Sequence, residues 1–172
     1  ILGGGAVLAP PAPERITLQR LDVQGLTVAA RGLHDVSFAV ERGSMTVIAG
    51  PVGAGKSSLV QAVLGLIAID DGEVRWNGTP IGDRAAFFVP PQSAYVPQVA
   101  RLFAESLQDN VALGRPLDLE AIEAAMALAV FSADYDELPN GIDTVIGSRG
   151  VRLSGGQAQR VAAVRAFVHH PE

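Results

Sequence analysis

Met45-Thr46-Val47-Ile48-Ala49-Gly50-Pro51-Val52-Gly53-Ala54-Gly55-Lys56-Ser57-Ser58-Leu59-Val60 joins an apolar run to a helical pattern through a glycine-rich loop. Met45 to Ala49 is β-branched and has no polar face, which predicts a strand buried on both sides, as in a parallel sheet. From Lys56 to Leu66 the apolar residues Leu59, Val60, Val63 and Leu64 recur at helical spacing. Between the two, Gly50 to Ser57 fits G-x-x-x-x-G-K-[ST] in the strand–loop–helix context that the motif requires. Glycines let the backbone curl so that successive N–H groups face an anion. The helix N-terminus adds about half a positive charge and unpaired donors. Lys56 brings a compact ammonium toward the β- and γ-phosphates of a nucleotide, and the Ser57 hydroxyl can ligate Mg²⁺.

Composition sharpens the role of the lysine. Lys56 is the single lysine among 13 basic residues; the rest are arginine. A planar guanidinium is too bulky for a closed loop that admits an ammonium. The net charge of −5 over 172 residues gives no basic footprint for nucleic acid. The chain has no Cys, hence no disulfide framework and no Cys-ligated zinc. No His–carboxylate set has metal-ligand spacing, and no apolar run of about 18 residues could span a bilayer.

Outward from the loop, Ile16, Leu18, Leu21, Val23, Leu26 and Val28 predict one or two half-buried strands, continued by Leu33, Val36, Phe38 and Val40. Asn77-Gly78 between Glu73–Trp76 and Thr79–Ile81 predicts a hairpin. Ala85–Val89 and Ser93–Val96 read as short strands. Ser106–Leu113 and Asp118–Val130 read as helices, the second with Asp118 as N-cap. Asp136–Gly150 reads as loop, and a last helix runs from Ser154 to about His169, where His169 and His170 would favour its C-terminal dipole. His34 reads as a surface residue. Residues 1–13, rich in Gly, Ala and Pro, read as a linker. A first residue that is Ile1, and an end at Glu172 directly after a helical pattern, point to a piece of a longer protein.

Leu153-Ser154-Gly155-Gly156-Gln157 opens that last helix, 154 − 56 = 98 residues after Lys56. Ser154 can cap it, and two glycines let an anion approach its N–H groups. One nucleotide cannot easily use both helix termini of a single chain. The natural arrangement is two copies head to tail, each signature closing on the other's nucleotide.

The phosphate loop, Gln98 within Tyr95-Val96-Pro97-Gln98, and Leu153-Ser154-Gly155-Gly156-Gln157-Ala158-Gln159-Arg160 occur in this order. Together they resemble the nucleotide-binding domain of ATP-binding cassette (ABC) transporters, from about Ile16 to Glu172. Leu102-Phe103, Ser106 to Val111 and Leu138 to Gly147 resemble the exporter branch. The resemblance implies an α/β fold: a P-loop NTPase core with an antiparallel β subdomain and an inserted α-helical subdomain, the C-terminal part of the sheet missing. Residues 14–97 would form the core, 98–153 the helical subdomain, and 154–172 the signature helix returning to the core. ATP and Mg²⁺ are implied as ligands. Gly50, Pro51, Val52, Gly53, Ala54, Gly55, Lys56, Ser57 and Ser58 would hold the phosphates, with Ser57 and Gln98 on Mg²⁺ and Lys56 and Gln98 in the chemistry. Ser154, Gly155, Gly156 and Gln157 would meet the partner's ATP. The partners implied are a second cassette and a transmembrane domain docking on residues 101–114, at the cytoplasmic face of the cell membrane. The segment from Asp143 to Gly150 would lead into the signature.

Three departures stand out. The family's adenine-stacking aromatic is absent near Ala29-Ala30. Ser148 occupies a slot where exporters often carry Glu. The strand bearing the catalytic carboxylates would follow the signature helix, yet the only acidic residue beyond Ser154 is Glu172. The 172 residues alone are therefore expected to bind nucleotide without turning it over, and to be marginally stable. Two rival functions are a soluble ABC ATPase without a membrane domain and a non-hydrolysing half of a heterodimer. Transmembrane helices upstream of Ile1 would decide the first. The residue after the next strand's aspartate would decide the second.

Overall fold

In the computed structural model, residues 14–172 are described. They divide into two compact units, 14–93 together with Glu172, and 94–171. The linker reading of residues 1–13 lies outside the described residues.

The first unit is built on a four-stranded antiparallel sheet in the order β2-β1-β3-β4. Its strands are β1 (Arg20–Val28), β2 (Leu33–Glu41), β3 (Asp71–Trp76) and β4 (Thr79–Pro80). The apolar parity of β1 changes midway, from Leu21 and Val23 to Leu26 and Val28, which strict alternation forbids. A bulge at Gly25 (φ 61°) resolves this, because both ladders of β1 shift register there. The facing position on β3 must also be glycine: a Cβ on Gly72 would lie 2.6 Å from the Gly25 carbonyl and Leu26 Cα. The β3–β4 hairpin forms as expected, with positive φ at both Asn77 and Gly78. Asn77 also ties down the chain before β1, its Oδ1 accepting from Gln19 N and its Nδ2 donating to Thr17 O.

Helix α1 (Lys56–Val63) lays Leu59, Ala62 and Val63 on Val23, Leu26, Val28, Leu33 and Val74 of the sheet. Two expected strands do not form. Ala85–Val89 is replaced by the short helix α2 (Arg84–Phe87), whose N-cap Asp83 accepts from Ala86 N at 3.0 Å. Ser93–Val96 is unpaired, flanked by Pro90, Pro91 and Pro97, which have no N–H to give a ladder. Nor is Met45–Ala49 a buried strand. Among the described residues no strand pairs with it, so the ladder that would cover its faces is absent, and Met45 and Val47 are 88% and 74% exposed.

The second unit contains α3 (Leu107–Ala112), α4 (Leu119–Leu128), α5 (Ser132–Asp136) and α6 (Gly155–Phe167). Its core gathers Leu107 and Val111 of α3, Ile122 and Met126 of α4, Phe131, Ile146, and Val161 and Val164 of α6. Ser106 caps α3 by accepting from Asp109 N. Asp118 stands at the N-cap of α4 without a side-chain capping bond. The segment before α6 is clasped to the start of α3 through Leu107 N to Thr144 O (2.9 Å) and Ile146 N to Glu105 O (3.0 Å). Gly150 is compelled there, since a Cβ would lie 2.0 Å from Val145 O. Helix α6 ends at Phe167, so His169 and His170 lie beyond it, correcting their placement at the helix C-terminus. Burial holds the His169 imidazole below its usual pKa, with Arg115 and His170 adding to the effect, so the ring favours its neutral form rather than a dipole-stabilising charge.

Candidate functional site

The phosphate loop folds as a closed arch in the first unit. Gly50, Gly53 and Gly55 have φ of 157°, 84° and 83°, values that only glycine adopts readily. Gly55 is the N-cap of α1 and has no side chain with which to cap it, so the first-turn N–H donors of α1 receive no side-chain acceptor. The Lys56 ammonium curls back over the loop, donating to Gly50 O at 2.8 Å and Pro51 O at 2.7 Å. Pro51, Val52, Gly53 and Ala54 are exposed, as is Ser57 at the helix start. Uncapped donors, one ammonium and an exposed hydroxyl converge on a loop whose glycines leave the backbone uncovered. This donor set fits a polyphosphate, with the Ser57 hydroxyl fitted to Mg²⁺.

The turn at Ala29–Arg31 stands beside this loop. A Cβ on Gly55 would approach Leu33 Cδ2 to 2.9 Å and Arg31 O to 3.1 Å. Ala29 and Ala30 are exposed, and Ala29 N donates to Asp70 Oδ2 at 2.7 Å. The position predicted for base stacking is thus next to the phosphate loop and carries only methyl groups.

In the second unit the signature turn is a complete capping box. Ser154 Oγ accepts from Gln157 N at 3.2 Å, and Gln157 Oε1 accepts from Ser154 N at 2.8 Å. Gln157 Nε2 donates to Asp134 Oδ1 at 3.1 Å. Arg160 closes the set with a bidentate pair to Asp134, Nε to Oδ2 at 2.6 Å and a terminal nitrogen to Oδ1 at 3.0 Å. The Arg160 hydrogen bond holds the Asp134 carboxyl below the usual carboxylate range, and Asp134 raises Arg160 in turn. Both ends of the Gln157 amide are therefore engaged within its own chain, leaving the backbone of Gly155 and Gly156 as the open face.

Gln98 is exposed, and its backbone carbonyl accepts from Gln159 Nε2, which also donates to Pro97 O at 3.3 Å. Farther along α6, Arg165 donates to Asn110 O (2.7 Å) and Arg101 O (3.2 Å), with its guanidinium 5.8 Å from the Phe103 ring centroid. Asn110, fully buried, accepts from Phe103 N and donates to Phe103 O, holding Phe103, a residue that is 58% exposed. Asp134 and the tying roles of Gln159 and Arg165 have no sequence signal. Asp134 is 26 residues from Arg160, and no periodicity relates them.

The sequential motifs thus fall into two groups: the phosphate loop with the Ala29–Arg31 turn in the first unit, and Gln98 with the signature turn in the second. Among the described residues no group of three or more His, Asp or Glu is arranged to hold a metal. Glu172, the last acidic residue, is committed in the first unit: its carboxylate accepts from Leu18 N at 3.2 Å and lies 3.5 Å from Arg15 Nε.

A family model described as ABC transporter matches residues 33–172. The uncharacterized ABC transporter ATP-binding protein YfiB of Bacillus subtilis (strain 168) is 36% identical over 158 residues, 91% of this chain and 28% of that protein. The ATP-dependent lipid A-core flippase of Burkholderia thailandensis is 39% identical over 135 residues, 78% of this chain and 23% of that protein. Among solved structures, a bacterial Atm1-family ABC exporter with ATP bound superposes with a TM-score of 0.80 at 31% identity, covering 95% of this chain and 30% of that one. The chain thus spans between 23% and 30% of the length of these relatives. The motifs, the antiparallel sheet with its helical unit, and these matches agree: the chain belongs to the ABC transporter family, as the nucleotide-binding domain of an exporter-type member.

Proposed function

We propose that this chain binds Mg-ATP and, within its whole protein, pairs head to tail with a second cassette to couple ATP hydrolysis to transport across a membrane. The observation that carries the reading is Lys56 poised over Gly50 and Pro51 at the uncapped start of α1. Residues 50–58 would hold the phosphates, Ser57 and Gln98 would meet Mg²⁺, and the open backbone of Gly155 and Gly156 would face the partner's nucleotide. Bound Mg²⁺ would neutralise phosphate charge. Lys56 neutralises and orients the terminal phosphates. Gln98 would report whether the last phosphate is present.

The membrane partner would dock on residues 101–114. Phe103 and Leu113 are exposed there, and Asn110 and Arg165 fix the surrounding backbone. An exposed aromatic on a braced backbone suits a partner that must receive force rather than merely adhere. Among the described residues no helix is long and apolar enough to cross a membrane, so the translocation path would belong to another segment or chain.

Isothermal titration of the chain with Mg-ATP tests the nucleotide reading. Saturable binding lost in Lys56→Ala supports it, and unchanged binding in that variant refutes it.

A further inference from the structure

Helix α6 is held by side chains of its first two turns in two directions. Gln157 and Arg160, three residues apart and therefore on one face, both reach Asp134. Gln159 projects elsewhere, about 100° from Arg160 around the helix. Its amide nitrogen spans two consecutive carbonyls, Pro97 O at 3.3 Å and Gln98 O, and so spends both its hydrogens on the segment that carries Gln98. Pro97 has no N–H, and the 94–100 segment belongs to no sheet or helix. Gln159 is thus a side-chain clamp on a stretch without a ladder of its own.

We propose that Gln159 is a positioning residue that makes the Gln98 segment and the signature turn move as one body. The inference rests on the nucleotide reading above. A displacement of the Gln98 backbone draws on Gln159, which sits one residue from the Arg160–Asp134 pair and two from Gln157. A helix does not stretch over two residues, so the pull reaches the capping box and re-aims the Gly155 and Gly156 amides. Gln98 serves the chain's own nucleotide and the signature serves the partner's. The clamp therefore links the two composite sites of a head-to-tail pair through a single side chain. Only a donor suffices: Gln159→Glu would set carboxylate lone pairs against two carbonyls, and Gln159→Leu would leave both carbonyls without the bond.

Backbone amide resonances of the ¹⁵N-labelled chain test this. Gly53 and Gly55 report the phosphate loop, and Gly155 and Gly156 report the signature. On addition of Mg-ATP, both pairs are expected to shift in the wild type. In Gln159→Leu and Gln159→Glu, Gly53 and Gly55 should shift as before and the Gly155 and Gly156 shifts should be lost. Equal signature shifts in wild type and variants overturn the proposal, as do signature amides that never respond while the loop glycines do. If the loop glycines are silent as well, the nucleotide reading fails, and nucleotide-free hydrogen exchange decides the clamp. Gln159→Leu should then raise exchange at the Gln157 amide, which donates to Ser154 Oγ in the capping box, leaving Val161 and Val164 unchanged. Exchange at Gln157 that is the same in wild type and variant overturns it.

Discussion

The ammonium of Lys56 lies 2.8 Å from the carbonyl oxygen of Gly50, six residues earlier in the chain. With its second bond to Pro51 O, it holds the phosphate loop closed around a cation of ammonium size. Lys56→Arg keeps the charge but enlarges the head group and fixes its donors in a plane. The variant should bind Mg-ATP at least about tenfold more weakly, since one misplaced charge-assisted bond is worth about 1.5–3 kcal/mol. Titration calorimetry checks this, and wild-type affinity in Lys56→Arg would show that charge alone suffices.

The methyl groups of Ala29 and Ala30 beside the loop make a gain of function possible. Ala30→Tyr places an aromatic face on the exposed turn whose Arg31 carbonyl approaches Gly55. A base–aromatic stack is worth about 1–3 kcal/mol, so ATP affinity should rise roughly 5- to 150-fold. Tripolyphosphate, which has no base, should bind both forms alike. A parallel rise for tripolyphosphate would mean the tyrosine acts on the loop instead of the base.

Local signals carried most of the fold. Asn77-Gly78 placed its hairpin, and Ser154 placed the start of α6, because these residues act through bonds to their own neighbours. The bulge at Gly25 was hidden, because its necessity lies in the closeness of Gly72 on another strand. Ala85–Val89 was misread because Asp83, one short capping side chain, outweighed the strand preference of Phe87, Phe88 and Val89. The phosphate loop and the signature were legible for the same reason as the hairpin: their chemistry is written in contiguous residues. Asp134, Gln159 and Arg165 were not, since their partners are brought to them by tertiary folding.

Met45–Ala49 offers a direct check of that contrast. A strand buried on both faces would not tolerate a carboxylate, whereas Val47 is largely exposed. In the 172-residue chain, Val47→Asp should change unfolding free energy by no more than about 0.5 kcal/mol, the range of ordinary surface substitutions. Urea denaturation measures it. A loss of several kcal/mol would show that the segment is covered in solution.

Glu172 bears on turnover. Its carboxylate accepts from Leu18 N and faces Arg15, so it is occupied as a tie and not presented to a water. Phosphoryl transfer needs a residue that orients the attacking water. The purified 172-residue chain should therefore release no phosphate from ATP above background while still binding it. Release that disappears in Lys56→Ala would place a water-orienting residue within these 172 positions.

Acid should loosen the second unit in two stages. His169 has a folded-state pKa depressed chiefly by burial, then by Arg115 and His170, from an ordinary value of 6.5. The unfolded chain therefore binds more protons there, and stability falls as pH drops through about 6.5, levelling once the folded ring is protonated as well. Asp134 is depressed chiefly by the Arg160 hydrogen bond from an ordinary value of 3.8. Its contribution is intact above that value and is lost as pH falls through its folded-state pKa. Urea midpoints should therefore decline first on moving below pH 6.5 and again below about pH 4. His169→Asn should remove the first decline and keep the second. Asp134→Asn should do the reverse, lowering the midpoint at neutral pH because Gln157 and Arg160 lose their shared anion. If His169→Asn leaves the upper decline untouched, the half-buried imidazole is not its source.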